Sequence, residues 1–331
     1  MPQAQSRSAE KAPSRKSAAA PKSPKRKASA SDSRPPVGGV GISHPERVID
    51  TTSGVTKKGL AEYYLSVAEH LLPQLAKRPL SIVRAPEGVG GETFFQRHAG
   101  RLKMPHMREL DKSLDPEHAR LMQADNITAV IEAVQMGTLE FHSWNARSDK
   151  VERPDRVIFD LDPDPSLPWS AMVDATCMTL DLLERVGLRG FLKTSGGRGM
   201  HVMVPLARRH DWTLAREFAR AVAERLAAEA PERIVAKMGP QNRVGKIFVD
   251  YLRNQKGAST VAAYSVRARP GLPVSVPITR EELGRIEGAA QWNVTNLAER
   301  LASLPSDPWT ECASLAQIIS QATLKALSDP A

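Results

Sequence analysis

Apolar residues recur along the chain at two spacings, and these separate predicted helices from predicted strands. A spacing of three to four residues predicts long helices, which we place at 57–76, 126–136, 168–186 and 211–230. Shorter helices are expected at about 279–287, 294–303 and 308–327. Pro73 should end or kink the first helix, because proline cannot donate the helical hydrogen bond. Asp125 is the predicted N-cap of the second, which Gly137 closes.

Short apolar runs bounded by turn residues predict strands. These runs are RPLSIVRAP, TLEFHSW, VIFDLDPDP, RGFLKT, MHVMVPL and KIFVDYLRN, which begin at residues 78, 138, 157, 189, 200 and 246. Residues 258–278 are expected to be irregular to β-like. Strands and helices alternate, so the pattern predicts an α/β or α+β fold with a mixed central sheet flanked by helices.

Composition divides the chain into a tail and a folded part. Residues 1–34 hold nine lysines and arginines against two acidic residues, which accounts for seven of the nine net positive charges. Residues 1–36 also lack aromatic residues, so they cannot bury enough surface to fold. We therefore expect a disordered basic linker or arm over 1–36 and a single folded domain over 37–331. Any nucleic-acid binding by that domain has to come from a local patch, because its remaining charge is small.

Two further features bear on where the protein works. No run of 18 apolar residues occurs, so we expect no membrane span. The cysteines, Cys177 and Cys312, have neither metal-site spacing nor a disulfide pattern, which fits a reducing cytoplasm.

The run VIFDLDPDP ends a predicted strand with paired carboxylates. Asp160 and Asp162 project from the same face about 7 Å apart, and Pro163 stops the strand beside them. Asp250, in IFVDYL, has the same setting. If the two strands are neighbours, the three carboxylates suit two divalent ions, which prefer hard oxygen ligands. The alternatives are a solvated acidic turn at 160–164 and an ion pair between Asp250 and a nearby arginine.

A glycine-rich turn, TSGGRGMHV, joins two later predicted strands. Its glycines, including Gly196, let the backbone turn tightly, and its amides are suited to an anion nest. Arg198 adds donors for phosphate oxygens, and His201 begins the next strand. The alternative is an ordinary hairpin with a basic tip. His142, in EFHSW, is on its own more typical of a structural histidine than of a binding residue.

Two adjacent aromatic residues, Phe94 and Phe95, lie in a glycine-rich loop before Gln96, Arg97 and His98. Adjacent residues of an extended segment face opposite ways, so we expect one of the two to be exposed. An exposed aromatic beside basic residues is suited to stacking on a nucleic-acid base. The alternative is one phenylalanine in the core and one at its rim.

A strand that ends in DLD also begins the aspartyl-phosphatase fold of the haloacid dehalogenase type. That family places threonine or valine two residues after the second aspartate, where this chain has Asp164. A paired-acid motif late in the chain is also missing, which argues against this interpretation.

Taken together, the motifs resemble the archaeo-eukaryotic primase superfamily, and most closely the polymerase domain of bacterial DNA ligase D. The resemblance covers about residues 40–325. It rests on DLDP at 160–163, SGGRGMH at 195–201 and VDYLRN at 249–254, with FHSWN at 141–145 and ETFFQRH at 92–98.

The resemblance implies residue roles. The metal-binding and catalytic carboxylates would be Asp160, Asp162 and Asp250. The nucleotide would be held by Ser195, Gly196, Arg198, His201, His142, Arg243 and Arg267. DNA would be contacted by Phe94, Phe95, Arg84, Arg47 and Lys57, with Arg47 and Lys57 reading a 5′-phosphate. Arginine stands at 47 and 198 where the family usually has lysine, which keeps the charge and changes the phosphate geometry.

The resemblance also implies an activity and its partners. The chain would add ribo- or deoxynucleotides to DNA 3′ ends and fill gaps in non-homologous end joining, using two Mn²⁺ or Mg²⁺ ions. Ku protein and the ligase and phosphoesterase domains of ligase D would be its partners, at the bacterial nucleoid. No KxDG motif occurs, so we expect no ligase domain within these 331 residues. The alternative function is a non-catalytic module that binds or aligns DNA ends.

Overall fold

The computed structural model describes residues 36–328, in which strands and helices alternate as the hydrophobic pattern predicts. Almost all of the segment predicted to be a linker lies outside the described residues, except Pro36, which begins the first strand. The strands are β1 Pro36–Val37, β2 Val40–Gly41, β3 Leu80–Arg84, β4 Phe94–Gln96, β5 Arg108–Glu109, β6 Met122–Gln123, β7 Thr138–Trp144, β8 Arg156–Pro163, β9 Phe191–Thr194, β10 Met200–Pro205, β11 Ile234–Val235, β12 Ile247–Asp250, β13 Ser259–Val261 and β14 Pro277–Ile278.

The α-helices within the same range are α1 Lys57–Ser66, α2 Ala68–Leu75, α3 Ile127–Gln135, α4 Trp169–Arg185, α5 Trp212–Glu229, α6 Arg280–Leu283, α7 Leu297–Ser303 and α8 Gln321–Ser328. Short 3₁₀ helices lie at Lys112–Leu114, Ser148–Lys150, Pro240–Asn242 and Thr310–Ala313. Among residues 36–328, none of the helices combines the length and the apolar character that crossing a bilayer requires.

Strands β3 to β14 form two six-stranded sheets, and β1 pairs with β2 in a separate small hairpin. The first sheet has the order β11-β12-β8-β10-β9-β14 and is antiparallel except where β11 meets β12. The second has the order β13-β7-β3-β6-β5, with β4 also paired to β3. The predicted mixed class is confirmed, with the strands divided between two sheets.

Strand β8 has one face toward helices and the other toward the second sheet. Phe159 contacts Phe218 of α5, with ring centroids 6.2 Å apart, so the odd-numbered side chains of β8 face the helices. On the other face, Arg156 donates to the Ser143 hydroxyl of β7 over 2.8 Å. The even-numbered side chains, which include Asp160 and Asp162, therefore project toward the space between the sheets.

Several predicted boundaries are wrong, and local packing explains two of them. The first helix breaks at Val67, which is buried and leaves the helical conformation, whereas Pro73 lies inside α2. The cap of α3 is Asn126, whose side chain accepts from the Ala129 amide, because Asp125 instead accepts from the Lys77 amide. Strand β12 ends at Asp250, and the C-terminal helices are shorter than predicted, with a 3₁₀ turn beginning the last region.

Candidate active site

A row of polar side chains crosses four neighbouring strands of the first sheet. Asp160 on β8 is paired across the ladder with Asp250 on β12 and with His201 on β10. His201 is in turn paired with Lys193 on β9. Directly opposed side chains project from the same face, and Asp162 extends the group by one step along β8. The structure thus brings together the three carboxylates that the sequence singled out.

Each of these carboxylates has a basic neighbour of its own. Asp160 lies 3.2 Å from Nε2 of His201, and Asp162 lies 3.8 Å from a guanidinium nitrogen of Arg243. Asp250 pairs with Arg253 over 2.9 Å and also accepts the Leu252 amide. The sequence offered an ion pair with a nearby arginine as the alternative role of Asp250, and the structure contains that pair with Arg253. Across residues 36–328, no three acidic, histidine or cysteine side chains already converge in a geometry that would hold a metal ion.

The two carboxylates of β8 have opposite pKa shifts. Burial raises the pKa of Asp162 to about 7, and the nearby charge of Asp160 adds to this effect while Arg243 opposes it. Burial acts the same way on Asp160, but His201 and then Arg253 outweigh it and hold that pKa at about 2. The pKa of Asp250 is raised, mainly by burial. Burial thus disfavours the ionised forms of Asp162 and Asp250, whereas Asp160 is held ionised by its basic neighbours.

His201 is buried against Asp160 at the edge of the cluster. Burial lowers its pKa to about 4, although Asp160 opposes the shift, so the imidazole is neutral at pH 7. With its hydrogen on Nε2 the ring donates to Asp160, and Nδ1 then has no hydrogen-bond partner. Asp160 therefore holds the His201 ring in position. The same ring also lines a cavity next to the acidic cluster.

The turn between β9 and β10 is closed by the Ser195 side chain. The Ser195 hydroxyl oxygen accepts the amides of Gly197 over 3.2 Å and of Gly199 over 3.1 Å. Those two amides are therefore not available for the anion nest that the glycine-rich sequence predicted. The hydroxyl hydrogen of Ser195 remains able to donate, and Arg198 is exposed at the tip of the turn.

Two glycines let this turn lie directly against its neighbours. Gly196 has φ +66°, and a Cβ there would lie 2.8 Å from the side chain of Arg267. A Cβ on Gly199 would lie only 2.2 Å from the carbonyl oxygen of Leu161, between the two aspartates of β8. Real Cβ atoms do not approach a backbone oxygen so closely, so the turn can touch β8 only with glycine at this position.

His142 reaches this turn through two other residues. Its Nε2 lies 2.7 Å from Glu140, which also pairs with Arg267 over 3.1 Å, and Arg267 donates to the Ser195 carbonyl over 2.7 Å. Burial raises the pKa of Glu140, but His142 and Arg267 outweigh it and hold the pKa at about 2. His142 therefore has the structural partner that its isolated position in the sequence suggested.

A cavity of about 330 Å³ lies between the acidic cluster and the turn. It is lined by Asp160, Asp162, Pro163, Pro165, Ser195, Gly197, Arg198, Gly199, His201, Arg243, Arg253, Arg267 and Arg269. Arg253 and Arg269 were not predicted as site residues. Arg253 lies within the motif VDYLRN, and Arg269 follows Arg267 by two residues, so both were within reach of the sequence argument. Neither Asp250 nor His142 lines this cavity.

The predicted DNA-contacting residues of the second sheet lie on β3 and β4. Phe94 is 42% exposed and Phe95 is 54% exposed, so both aromatic rings are accessible, rather than one. They lie in a strand and not in a loop. Phe95 makes an edge contact with His142, with ring centroids 5.8 Å apart. Arg84 donates to the Met136 carbonyl over 2.9 Å and is partly buried.

Arg47 and Lys57, the predicted 5′-phosphate contacts, are neighbours in the structure. The amide of Lys57 donates to the Arg47 carbonyl over 2.8 Å, and the Lys57 ammonium donates to Ser43 over 3.3 Å. Arg47 is exposed in the segment before α1, and Lys57, the first residue of α1, is partly buried.

The arrangement of this site and the two-sheet fold define the class of protein. The solved polymerase domain of Mycobacterium tuberculosis ligase D, determined in complex with DNA, superimposes with a TM-score of 0.77 and is 27% identical. The match covers 84% of this chain and 99% of that domain. The fold is therefore that of a primase-polymerase domain.

Sequence comparison narrows the class. The family model described as LigD, primase-polymerase domain, matches residues 56–309. The multifunctional non-homologous end joining protein LigD of Pseudomonas aeruginosa is 55% identical over 296 residues, which are 89% of this chain and 35% of that protein. Its counterpart in Mycolicibacterium smegmatis is 30% identical over 74% of this chain and 32% of its own length. The chain belongs to the family of LigD primase-polymerase domains, and it spans about a third of the length of these curated relatives.

Proposed function

We propose that the chain is a template-dependent nucleotidyltransferase that adds ribo- or deoxynucleotides to DNA 3′ ends and fills gaps during end joining. The observation that carries the proposal is the alignment of Asp160 with Asp250 across one ladder, beside Asp162 and a cavity rich in arginine. A phosphoryl-transfer site needs metal ligands on one side and phosphate-binding cations on the other. A non-catalytic module that only binds or aligns DNA ends would not need three carboxylates at one point.

The carboxylates suit Mn²⁺ or Mg²⁺ ions, because they are hard oxygen ligands paired across adjacent strands, and a bound cation would offset the burial that raises the pKa values of Asp162 and Asp250. Bound there, the ions would stabilise the attacking and leaving oxygens of the displacement. Asp160 and Asp162 would hold them from β8, and Asp250 from β12. His201 keeps Asp160 in place and ionised.

The nucleotide triphosphate would lie in the 330 Å³ cavity. Arg198, the Ser195 hydroxyl and Arg267 would contact its phosphates, with Arg243 and His201 at the sides. Gly196 allows Arg267 to approach the turn. His142 would act mainly through Glu140, which orients Arg267.

DNA would approach along the face that carries the exposed aromatic rings. Phe94 and Phe95 are accessible for stacking on a template base, and Arg84 supports them by joining β3 to the end of α3. Arg47 and Lys57 would bind the 5′-phosphate at the far side of a gap. The relatives are end-joining proteins, so Ku and the ligase and phosphoesterase domains of ligase D are the proposed partners, at DNA breaks in the bacterial cytoplasm.

Primer extension on a gapped duplex tests this function with either metal and with ribo- or deoxynucleotides. We expect the double variant Asp160→Asn, Asp162→Asn to lose extension by more than about a hundredfold, because weaker outer-shell metal contacts already contribute 10- to 100-fold. Asp174→Asn is the matched control, because Asp174 is an exposed aspartate of α4. Extension by the double variant at the control's rate contradicts the metal site. DNA binding that never leads to extension in the unmodified chain would favour the non-catalytic alternative.

A further inference from the structure

A second arginine-rich cavity lies at the other end of β8. Its volume is about 490 Å³, and it shares no lining residue with the candidate active site. Strand β8 runs from Arg156, which lines this cavity, to Pro163, which lines the other. At about 3.3 Å per residue, the two cavities are separated by roughly 20 Å. Its charged lining residues are Arg78, Arg147, Arg156, Arg208 and Asp155.

The positive charges of this cavity outnumber the negative ones. Asp155 accepts two hydrogen bonds from Arg78, over 2.6 and 2.7 Å, and one from Arg147 over 3.1 Å. Arg156 has no carboxylate partner, because its hydrogen bonds go to Asn145, Ser143 and a backbone carbonyl. The fourth arginine, Arg208, has its own partner in Asp149. The other three guanidinium groups have one carboxylate among them, which leaves an excess of two positive charges.

Two of these three guanidinium groups are buried, and that of Arg147 is partly exposed. Arg78 is 6% exposed and Arg156 is 7% exposed. Burial lowers the pKa of Arg156 to about 9, and the charge of Arg78 adds to this while Asp155 opposes it. The Nε atoms of Arg78 and Arg208 are also buried without a hydrogen-bond partner. Buried charges in proteins are normally paired. A bound anion would supply the negative charge that the residues of this cavity lack.

We propose that this cavity binds a small phosphate-bearing anion. A phosphate monoester carries about two negative charges at neutral pH, which matches the excess, and guanidinium groups bind phosphate oxygens in pairs. The remaining wall is apolar and includes Met203, Leu206 and Trp309, so it suits a ligand with an apolar or aromatic part. The volume lies within the range of about 300–1,000 Å³ typical of small-molecule sites.

The depth of the cavity argues for a small molecule rather than for a DNA strand. Duplex phosphates are contacted by exposed side chains along a track, whereas Arg78 and Arg156 are almost fully buried. The site is independent of the proposed polymerase activity, because it shares neither residues nor cavity with the acidic cluster.

Calorimetric titration of the full chain tests the proposal, using inorganic phosphate and AMP in buffer with EDTA and constant ionic strength. We expect saturable binding, tighter for AMP, and a loss of about fivefold or more in Arg147→Gln, as removal of a charged donor predicts. Arg147 is partly exposed, so this change should leave the fold intact. Arg280→Gln, which alters an arginine paired with Asp181 and Glu184, should bind as the unmodified chain does.

The two cysteines supply a second measurement that needs no variant. Cys312 lines the cavity and Cys177 does not, so saturating AMP should slow alkylation of Cys312 several-fold and leave Cys177 unchanged. Mass spectrometry of the two peptides reports both rates. Absence of saturable binding, binding by Arg147→Gln as tight as that of the unmodified chain, equal losses in Arg147→Gln and Arg280→Gln, or an unprotected Cys312 would each overturn the proposal.

Discussion

Asp160 and Asp162 lie two residues apart on one strand, yet their pKa values are held at about 2 and about 7. The difference arises from neighbours on other strands. Asp160 has His201 directly beside it, whereas Asp162 has the distant guanidinium of Arg243 and the like charge of Asp160. Asp160 is therefore ionised at neutral pH. Ionisation of Asp162 becomes favourable only when a cation binds beside it.

Asp162→Asn should stabilise the fold in the absence of metal. The raised pKa of Asp162 means that its ionisation opposes folding, so stability is present below the unfolded pKa and is lost as pH rises through about 7. The side chain is 41% exposed, so water screens this effect and we expect a gain of only about 1 kcal/mol at pH 8.

Urea denaturation in EDTA at several pH values measures this gain. It should shrink as pH falls from 7 toward 4, while Asp174→Asn shows no such trend. A gain that is independent of pH would contradict the assigned cause.

The sequence predicted the acidic residues but not all of their partners. Asp160, Asp162 and Asp250 stood out because each ends an apolar strand. The sequence allowed an ion pair between Asp250 and a nearby arginine without naming Arg253, because an arginine three residues beyond a strand becomes a partner only when the chain turns back there. The cap of α3 was misplaced by one residue for a similar reason, because the competing Lys77 amide is 48 residues away.

Among the elements, the hairpin of β9 and β10 most directly shapes the cavity. It lies beside β8 in the first sheet, and its turn touches β8 at Leu161 through Gly199. The sequence indicated a tight turn, and it gave no means of knowing that Ser195 would use the turn's own amides. Whether the Ser195 hydroxyl caps the turn in this way depends on the rotamer that its side chain adopts after the strands have paired.

Gly199→Ala should lower the free energy of unfolding by about 2 kcal/mol, because the added Cβ meets a backbone oxygen that cannot move freely. The rate of nucleotide addition should fall by more than the loss of stability explains, because the added methyl group displaces the turn from Asp162. Gly284→Ala is the matched control, as its Cβ would meet nothing within 4 Å at an ordinary φ of −78°. Equal denaturation midpoints for the two variants would show that the turn adapts.

At the scale of the whole molecule, the two sheets are joined at two places. Arg156 ties β8 to β7 at the end of β8 away from the candidate site, and Glu140 of β7 reaches the turn between β9 and β10 through Arg267. The sequence predicted the mixed class from the alternation of elements. The division into two sheets depends on pairings between distant strands, for which the local hydrophobic pattern carries no signal.

Glu140→Gln should raise KM for the nucleotide by about tenfold and change kcat less, because a charge-assisted hydrogen bond to Arg267 is lost while the metal ligands stay. Glu224→Gln, in an exposed pair on α5, is the control. Steady-state primer extension separates the two constants. A fall in kcat alone would place Glu140 in the chemical step rather than in nucleotide binding.

Binding to a gapped duplex should depend on its 5′-phosphate through Arg47 and Lys57, at the start of α1. Removing the phosphate should weaken binding by about fivefold in the unmodified chain, as expected for loss of a charged contact, and should have no effect in Arg47→Gln, Lys57→Gln. Lys58→Gln is the control, since Lys58 pairs with Glu62. Fluorescence anisotropy measures each affinity. The same dependence on the phosphate in the double variant would mean that another region recognises it.

The alignment of Asp250 with Asp160 also makes the site sensitive to the number of residues in β12. Side chains alternate along a strand, so inserting or deleting one residue in β12 would turn the third carboxylate to the helix side of the sheet. The ladder hydrogen bonds could re-form, but the carboxylate would then lie among the apolar side chains that face the helices, where an unpaired charge is costly. Within this sheet, a change of one residue in length is therefore opposed by the chemistry of the site and by the stability of the fold together.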